Sequence, residues 1–144
     1  MATTRRLMRG ITPTQVFDVL RDGRTYGDWV VGTRKTSEVD PEWPAEGTAI
    51  HYTVGYRPLR KDSVTTSMAY EPDRRLALEA HAWPAGTAGV QITAEPRGGD
   101  TLVSIDEAPL RGPASTLHNP LADLLIKVRN VETLRRLESK ARRR

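Results

Sequence analysis

Few side chains in this sequence are suited to chemistry: three histidines (His51, His81 and His118), the tyrosines Tyr52 and Tyr70, and the carboxylate of Glu107. The histidines are scattered, and there is no HExxH motif and no cysteine, so neither a metal nor a cofactor is expected. GxSxG, GxxxxGK[ST] and GxGxxG are missing too, which removes the usual acyl-enzyme elbow and nucleotide-binding loops. General acid/base chemistry is what the residue types still allow. Tyr52 or Tyr70 would donate a proton, Glu107 or His51 would accept one, and Arg57 would hold a developing oxyanion. Strand alternation gives Glu107 the face shared by Val103 and Ile105. A carboxylate there is either solvated at the strand end or held by a partner such as Arg111. The same alternation turns His51 outward, which counts against it as a base.

These residues need a scaffold, and the periodicity supplies one. Residues from about Thr3 to Arg9 read as a strand. Thr12 is an N-cap with Pro13 at the first helical position, and Val16, Phe17, Val19 and Leu20 form the apolar face of a helix to about Asp22. A second helical turn carries Tyr26 and Trp29. Period-two patterning then predicts strands near Thr33–Asp40, Thr48–Val54, Ser63–Tyr70, Arg74–Ala82, Ala88–Glu95 and Thr101–Glu107. The turns EPDRR and PRGGD suit a continuous antiparallel meander. From Pro120 a helix capped by Asn119 runs to the chain end, with Leu121, Leu124, Leu125, Val128, Val131, Leu134 and Leu137 as one apolar stripe against the sheet. Its last, Arg-rich turns are expected to leave the core.

Alternation assigns Ile50, Tyr52 and Val54 to the inner face, with Leu76, Leu78, Ala80 and Ala82, Val90, Ile92 and Ala94, and Val103 and Ile105. On the strand between them it assigns Val64, Thr66, Met68 and Tyr70. The expected architecture is α+β, a curved seven-stranded antiparallel sheet wrapped around a long C-terminal helix, as one domain over residues 1–144. With 28% charged and 38% apolar residues the composition fits a folded globular chain. The absence of cysteine, of a signal-peptide core and of a membrane-length apolar run points to the cytoplasm. Residues 127–144 hold eight basic residues against Glu132 and Glu138, which exceeds the net +4 of the whole chain. Such a helix end either complements its own dipole or attracts phosphates. Nucleic acid is not the expected partner, and monomer and homodimer both stay open.

The order of these elements resembles the START-like, or SRPBCC, superfamily with the helix-grip fold, in its bacterial polyketide cyclase/dehydrase-like branch. The segments that carry the resemblance are PTQVFDVLRDGRTYGDWVVGT, GTAIHYTVGYRPL, MAYEPDRRLALEA, GGDTLVSIDE and NPLADLLIKVRNVETLRRLES. It implies an internal cavity for a small hydrophobic ligand such as a lipid or polyketide, for binding or transport. A cyclase or dehydratase using cavity acid/base groups is the alternative. The ligand wall would comprise Trp29, Tyr52, Thr66, Met68, Tyr70, Leu78, Trp83, Val90, Ile92, Ile105 and Glu107, together with Leu121, Leu124, Leu125 and Val128 of the helix. Tyr56, Arg57, Arg60, Lys61, Trp83, Arg111 and His118 would ring the mouth, a basic and aromatic rim suited to an acidic or carbonyl head group.

Overall fold

A computed structural model describes residues 2–54, 61–81, 86–111 and 120–144, without the side chains of residues 34, 111 and 120–123. Strand β1 (Ala2–Met8) leads into helix α1 (Pro13–Arg21), a turn of 3-10 helix (Gly23–Thr25) and a short α2 (Tyr26–Trp29). Strands β2 (Thr33–Val39), β3 (Ala49–Val54), β4 (Lys61–Glu71), β5 (Arg75–His81), β6 (Thr87–Arg97) and β7 (Asp100–Arg111) follow, and α3 (Pro120–Ala141) comes last. The seven strands form one antiparallel sheet in the order β1-β7-β6-β5-β4-β3-β2. Consecutive strands from β2 to β7 are hairpin neighbours, and β1 returns to close the far side against β7.

Local chemistry explains where these elements begin and turn. Thr12 and Gln15 form a reciprocal capping box at α1: the Thr12 hydroxyl accepts from the Gln15 amide at 3.2 Å, and the Gln15 side chain accepts from the Thr12 amide at 2.9 Å. The β4–β5 turn places Asp73 at φ 61°, the left-handed conformation that Asp tolerates better than most residues. Val16, Phe17, Val19 and Leu20 of α1 are buried with Leu76, Ile92, Val103 and Ile105 from the sheet.

Two expectations are corrected. On β4 the inner face belongs to Thr65 and Ser67, whereas Met68 is 43% exposed and Thr66 lies on the opposite face. The register explains this: Ser67 pairs with the inward Leu78, but Ala69 pairs with Ala77, so Met68 is the extra residue of a bulge. The bulge restores inward parity at Tyr70. Both buried hydroxyls are satisfied, Ser67 by donating to the Pro44 carbonyl at 2.7 Å and Thr65 through two tyrosines.

The second correction concerns α3, whose apolar residues divide between two faces. Leu134, Leu137 and Ala141 are fully buried, while Leu124, Leu125 and Val128 are 56%, 62% and 62% exposed. At about 100° per residue, Val128 and Leu137 stand roughly half a turn apart, so both cannot face the sheet. The C-terminal turns stay docked: Lys140 pairs with Asp28 at 3.1 Å, Arg144 with Asp22 at 3.0 Å, and Arg6 with Glu138. Burial of Leu134, Leu137 and Ala141 sets the rotation of α3, which turns the Leu124, Leu125 and Val128 side outward, and these ion pairs accompany it.

Candidate ligand cavity

Between the inner face of the sheet and α3 lies a cavity of about 620 Å³. Leu78, Val90, Ile92 and Ile105 form its apolar floor from β5, β6 and β7, and Trp29 of α2 closes one side. The Trp29 indole is buried at this wall, and its N–H is a donor without a hydrogen-bond partner among the described residues. The cavity reaches Lys61 at the start of β4 and His81 at the end of β5, the strand ends next to the loops assigned to the rim.

Lys61, Asp62, Ser63 and His81 line the cavity at the strand ends, and two polar groups are buried deeper in the wall. The first is built by α2, β3 and β4. Tyr26 and Tyr52 both reach the Thr65 hydroxyl, at 3.0 and 2.7 Å, and their rings lie 5.1 Å apart. All three residues are buried, and both rings line the cavity. Burial, with the neighbouring Tyr52 phenol, pushes the Tyr26 hydroxyl well above the ordinary phenol value, so it serves as a neutral hydrogen-bonding group. The second group is built by β7 and α3. Glu107 is only 6% exposed, and its Oε1 accepts from Arg129 and, at 3.4 Å, from Asn130. Arg129 is therefore the described partner of this carboxylate. Thr133, one helical turn beyond Asn130, accepts from the Val31 amide at 3.3 Å and ties α3 to the segment after α2.

The structure brings Trp29, Tyr52, Leu78, Val90, Ile92, Ile105 and Glu107 together on one cavity. It separates others from it. Thr66 and Met68 are turned away by the β4 register, and Leu124, Leu125 and Val128 by the rotation of α3. Tyr70 faces inward but toward α1: its ring stacks on Phe17 at 6.4 Å, and its hydroxyl accepts from Arg21 at 3.2 Å. It therefore has no place in the cavity as proton donor or wall. Tyr56, Arg57, Arg60, Trp83 and His118, and the side chains of Arg111 and Leu121, lie outside the described residues. Tyr26, Thr65, Arg129 and Asn130 complete the polar groups without having been singled out from sequence. Tyr26 sits one helical turn before Trp29, and that spacing was the available signal.

A curved antiparallel sheet closed over a long C-terminal helix, with a largely apolar cavity between them, is the helix-grip architecture. The family model described as "Polyketide cyclase / dehydrase and lipid transport" matches residues 3–142, and the chain belongs to that family, within the SRPBCC superfamily. Solved structures share the fold at low identity. The crystal structure of Ara h 8.0201 aligns with a TM-score of 0.74 at 11% identity, covering 99% of this chain and 98% of that one. Protein MLL2253 from Mesorhizobium loti aligns at 0.70 with 17% identity, covering 98% and 97%. A conserved protein from Geobacillus kaustophilus aligns at 0.72 with 11% identity, covering 98% and 94%. No curated protein matches the chain by sequence. No helix among the described residues is long and apolar enough to cross a membrane.

Proposed function

We propose that this protein binds and carries a small hydrophobic ligand, of the lipid or polyketide kind, in the cavity between the sheet and α3. The observation that carries the reading is the cavity itself: its volume of about 620 Å³ lies within the range of small-molecule sites, and its largely apolar wall holds two buried polar groups. Burying roughly 300 Å² of apolar ligand surface contributes about 7 kcal/mol, against association costs of at least about 4 kcal/mol. Hydrocarbon contact alone thus gives binding near the millimolar range, and tighter binding requires the polar groups as anchors. Native mass spectrometry of protein purified from its producing host tests this. A small molecule retained under gentle conditions and lost on denaturation is expected. An empty protein that also fails to take up Nile red would refute it.

A second reading, a cyclase or dehydratase, draws on one observation: a carboxylate and a phenol pair face the same cavity. Tyr52 would then donate a proton and Glu107 would accept one. Loss of turnover in Glu107→Gln and Tyr52→Phe, with ligand uptake retained, would support it over carriage alone.

A further inference from the structure

We infer that the cavity selects a neutral ligand bearing both a hydrogen-bond acceptor and a hydroxyl donor on an apolar body, in preference to an anionic lipid. This deepens the binding reading above and rests on it.

Proton counting supplies the first half. Tyr26, Thr65 and Tyr52 have three O–H protons and make two hydrogen bonds among themselves. One proton is left over whichever way the bonds run. If Tyr26 donates to Thr65 and Thr65 to Tyr52, the Tyr52 proton is free; the reverse order frees that of Tyr26. The third arrangement has both phenols donating to Thr65. It strands the Thr65 proton at a fully buried position where its hydroxyl has no further bond, which is unfavourable. The surplus donor therefore sits on a tyrosine, and both tyrosines line the cavity. A ligand carbonyl satisfies it.

Charge supplies the second half. A carboxylate head group would also accept that proton, but the lysine and the arginine of the described wall already have partners. Arg129 is committed to Glu107, and Lys61 has its own partner. Among the lysine, arginine and carboxylate side chains of the described wall, Lys61 and Arg129 are balanced by Asp62 and Glu107, and His81 is the remaining basic group. Glu107 accepts both of its hydrogen bonds on Oε1, and among the described residues Oε2 accepts none. That oxygen repels an anion and accepts from a ligand hydroxyl.

The test is equilibrium binding of four probes to the wild-type protein: naphthalene, naphthyl methyl ketone, its hydroxylated analogue and naphthoate, with Nile red reporting cavity access. The hydroxyketone is expected to bind at least about tenfold more tightly than naphthoate. In Glu107→Gln the hydroxyketone should weaken several-fold while naphthoate tightens, opposite shifts that a merely structural role would not produce. Tyr26→Phe/Tyr52→Phe should erase the advantage of the ketone over naphthalene. If that double variant does not fold, the Glu107→Gln comparison decides alone. Naphthoate binding as tightly as the hydroxyketone, or Glu107→Gln moving both ligands the same way, would overturn the inference while Nile red uptake keeps the binding reading intact. Failure of the wild-type protein to bind Nile red and all four probes would overturn both.

Discussion

At Thr65 a single hydroxyl serves two phenols, and the three side chains come from β4, α2 and β3. Thr65→Val keeps the shape and removes the shared partner, leaving two buried phenols short of a hydrogen bond. A loss of about 1–3 kcal/mol is expected in urea unfolding, and an unchanged midpoint would show the phenols satisfied from the cavity instead. Glu138 gives a second prediction at this scale. Desolvation would raise its pKa, but hydrogen bonds from Arg6 and Arg142 outweigh it and hold the carboxyl below its usual value of 4.5. A depressed carboxylate contributes stability above its unfolded pKa and loses it as pH falls through the folded one. Unfolding midpoints measured from pH 6 down to about 3 should therefore fall less steeply in Glu138→Gln than in wild type. Equal slopes would remove Glu138 from the acid response. Residue-level roles were the least legible in the sequence. A buried Thr or Ser is indistinguishable from a solvated one until its partner is known, and Thr65 and Ser67 find theirs in Tyr26, Tyr52 and the Pro44 carbonyl.

The elements themselves were readable because each carries its own signal. Thr12 as N-cap with Pro13 behind it starts α1, and period-two alternation marks β3, β5, β6 and β7 with the correct inward faces. Alternation failed on β4, where one bulged residue shifts parity and leaves no hydropathy trace. The single-stripe reading failed on α3 for a different reason, since the helix has apolar residues on two faces and only packing against the rest of the fold, which buries Leu134, Leu137 and Ala141, chooses between them. Leu134→Ala or Leu137→Ala should cost about 2–5 kcal/mol, whereas Leu124→Ala and Leu125→Ala should stay within about 0.5 kcal/mol. Comparable losses at Leu124 would show that side of the helix to be packed. Gly23 marks the junction between α1 and the sheet: a Cβ there would meet Val39 Cγ1 at 2.6 Å and Trp43 Cδ1 at 3.1 Å. Gly23→Ala is expected to lose about 1–3 kcal/mol through overpacking, read as a lowered Tm. The basic C-terminal run also changes meaning at this scale. Six of its eight cations are in ion pairs, and three of these, Arg129 to Glu107, Lys140 to Asp28 and Arg144 to Asp22, link it to other elements.

Over the whole molecule, the sheet order leaves β1 and β2 at its two edges, and α1 and α2 carry the chain between them. That crossing sets Tyr26 and Trp29 against β3 and α3, so the connection required by the topology also finishes the cavity wall. The order of elements was enough to point to the architecture, while the cavity followed only from the resemblance to the SRPBCC superfamily. The polar pairing inside the cavity was not legible: the linear reading offered Arg111, four residues from Glu107, and only the fold brings Arg129 of α3 to that carboxylate. Filling the cavity without disturbing the core beneath it is the direct test of ligand binding. Val90 lines the cavity and is only partly buried, so Val90→Phe should occupy ligand space at little expense in stability. Titration with Nile red, alongside thermal unfolding, should show uptake by the wild-type protein reduced at least about tenfold in Val90→Phe, with Tm nearly unchanged. Equal uptake by both proteins would place the bound molecule outside this cavity and contradict its assignment as the ligand site.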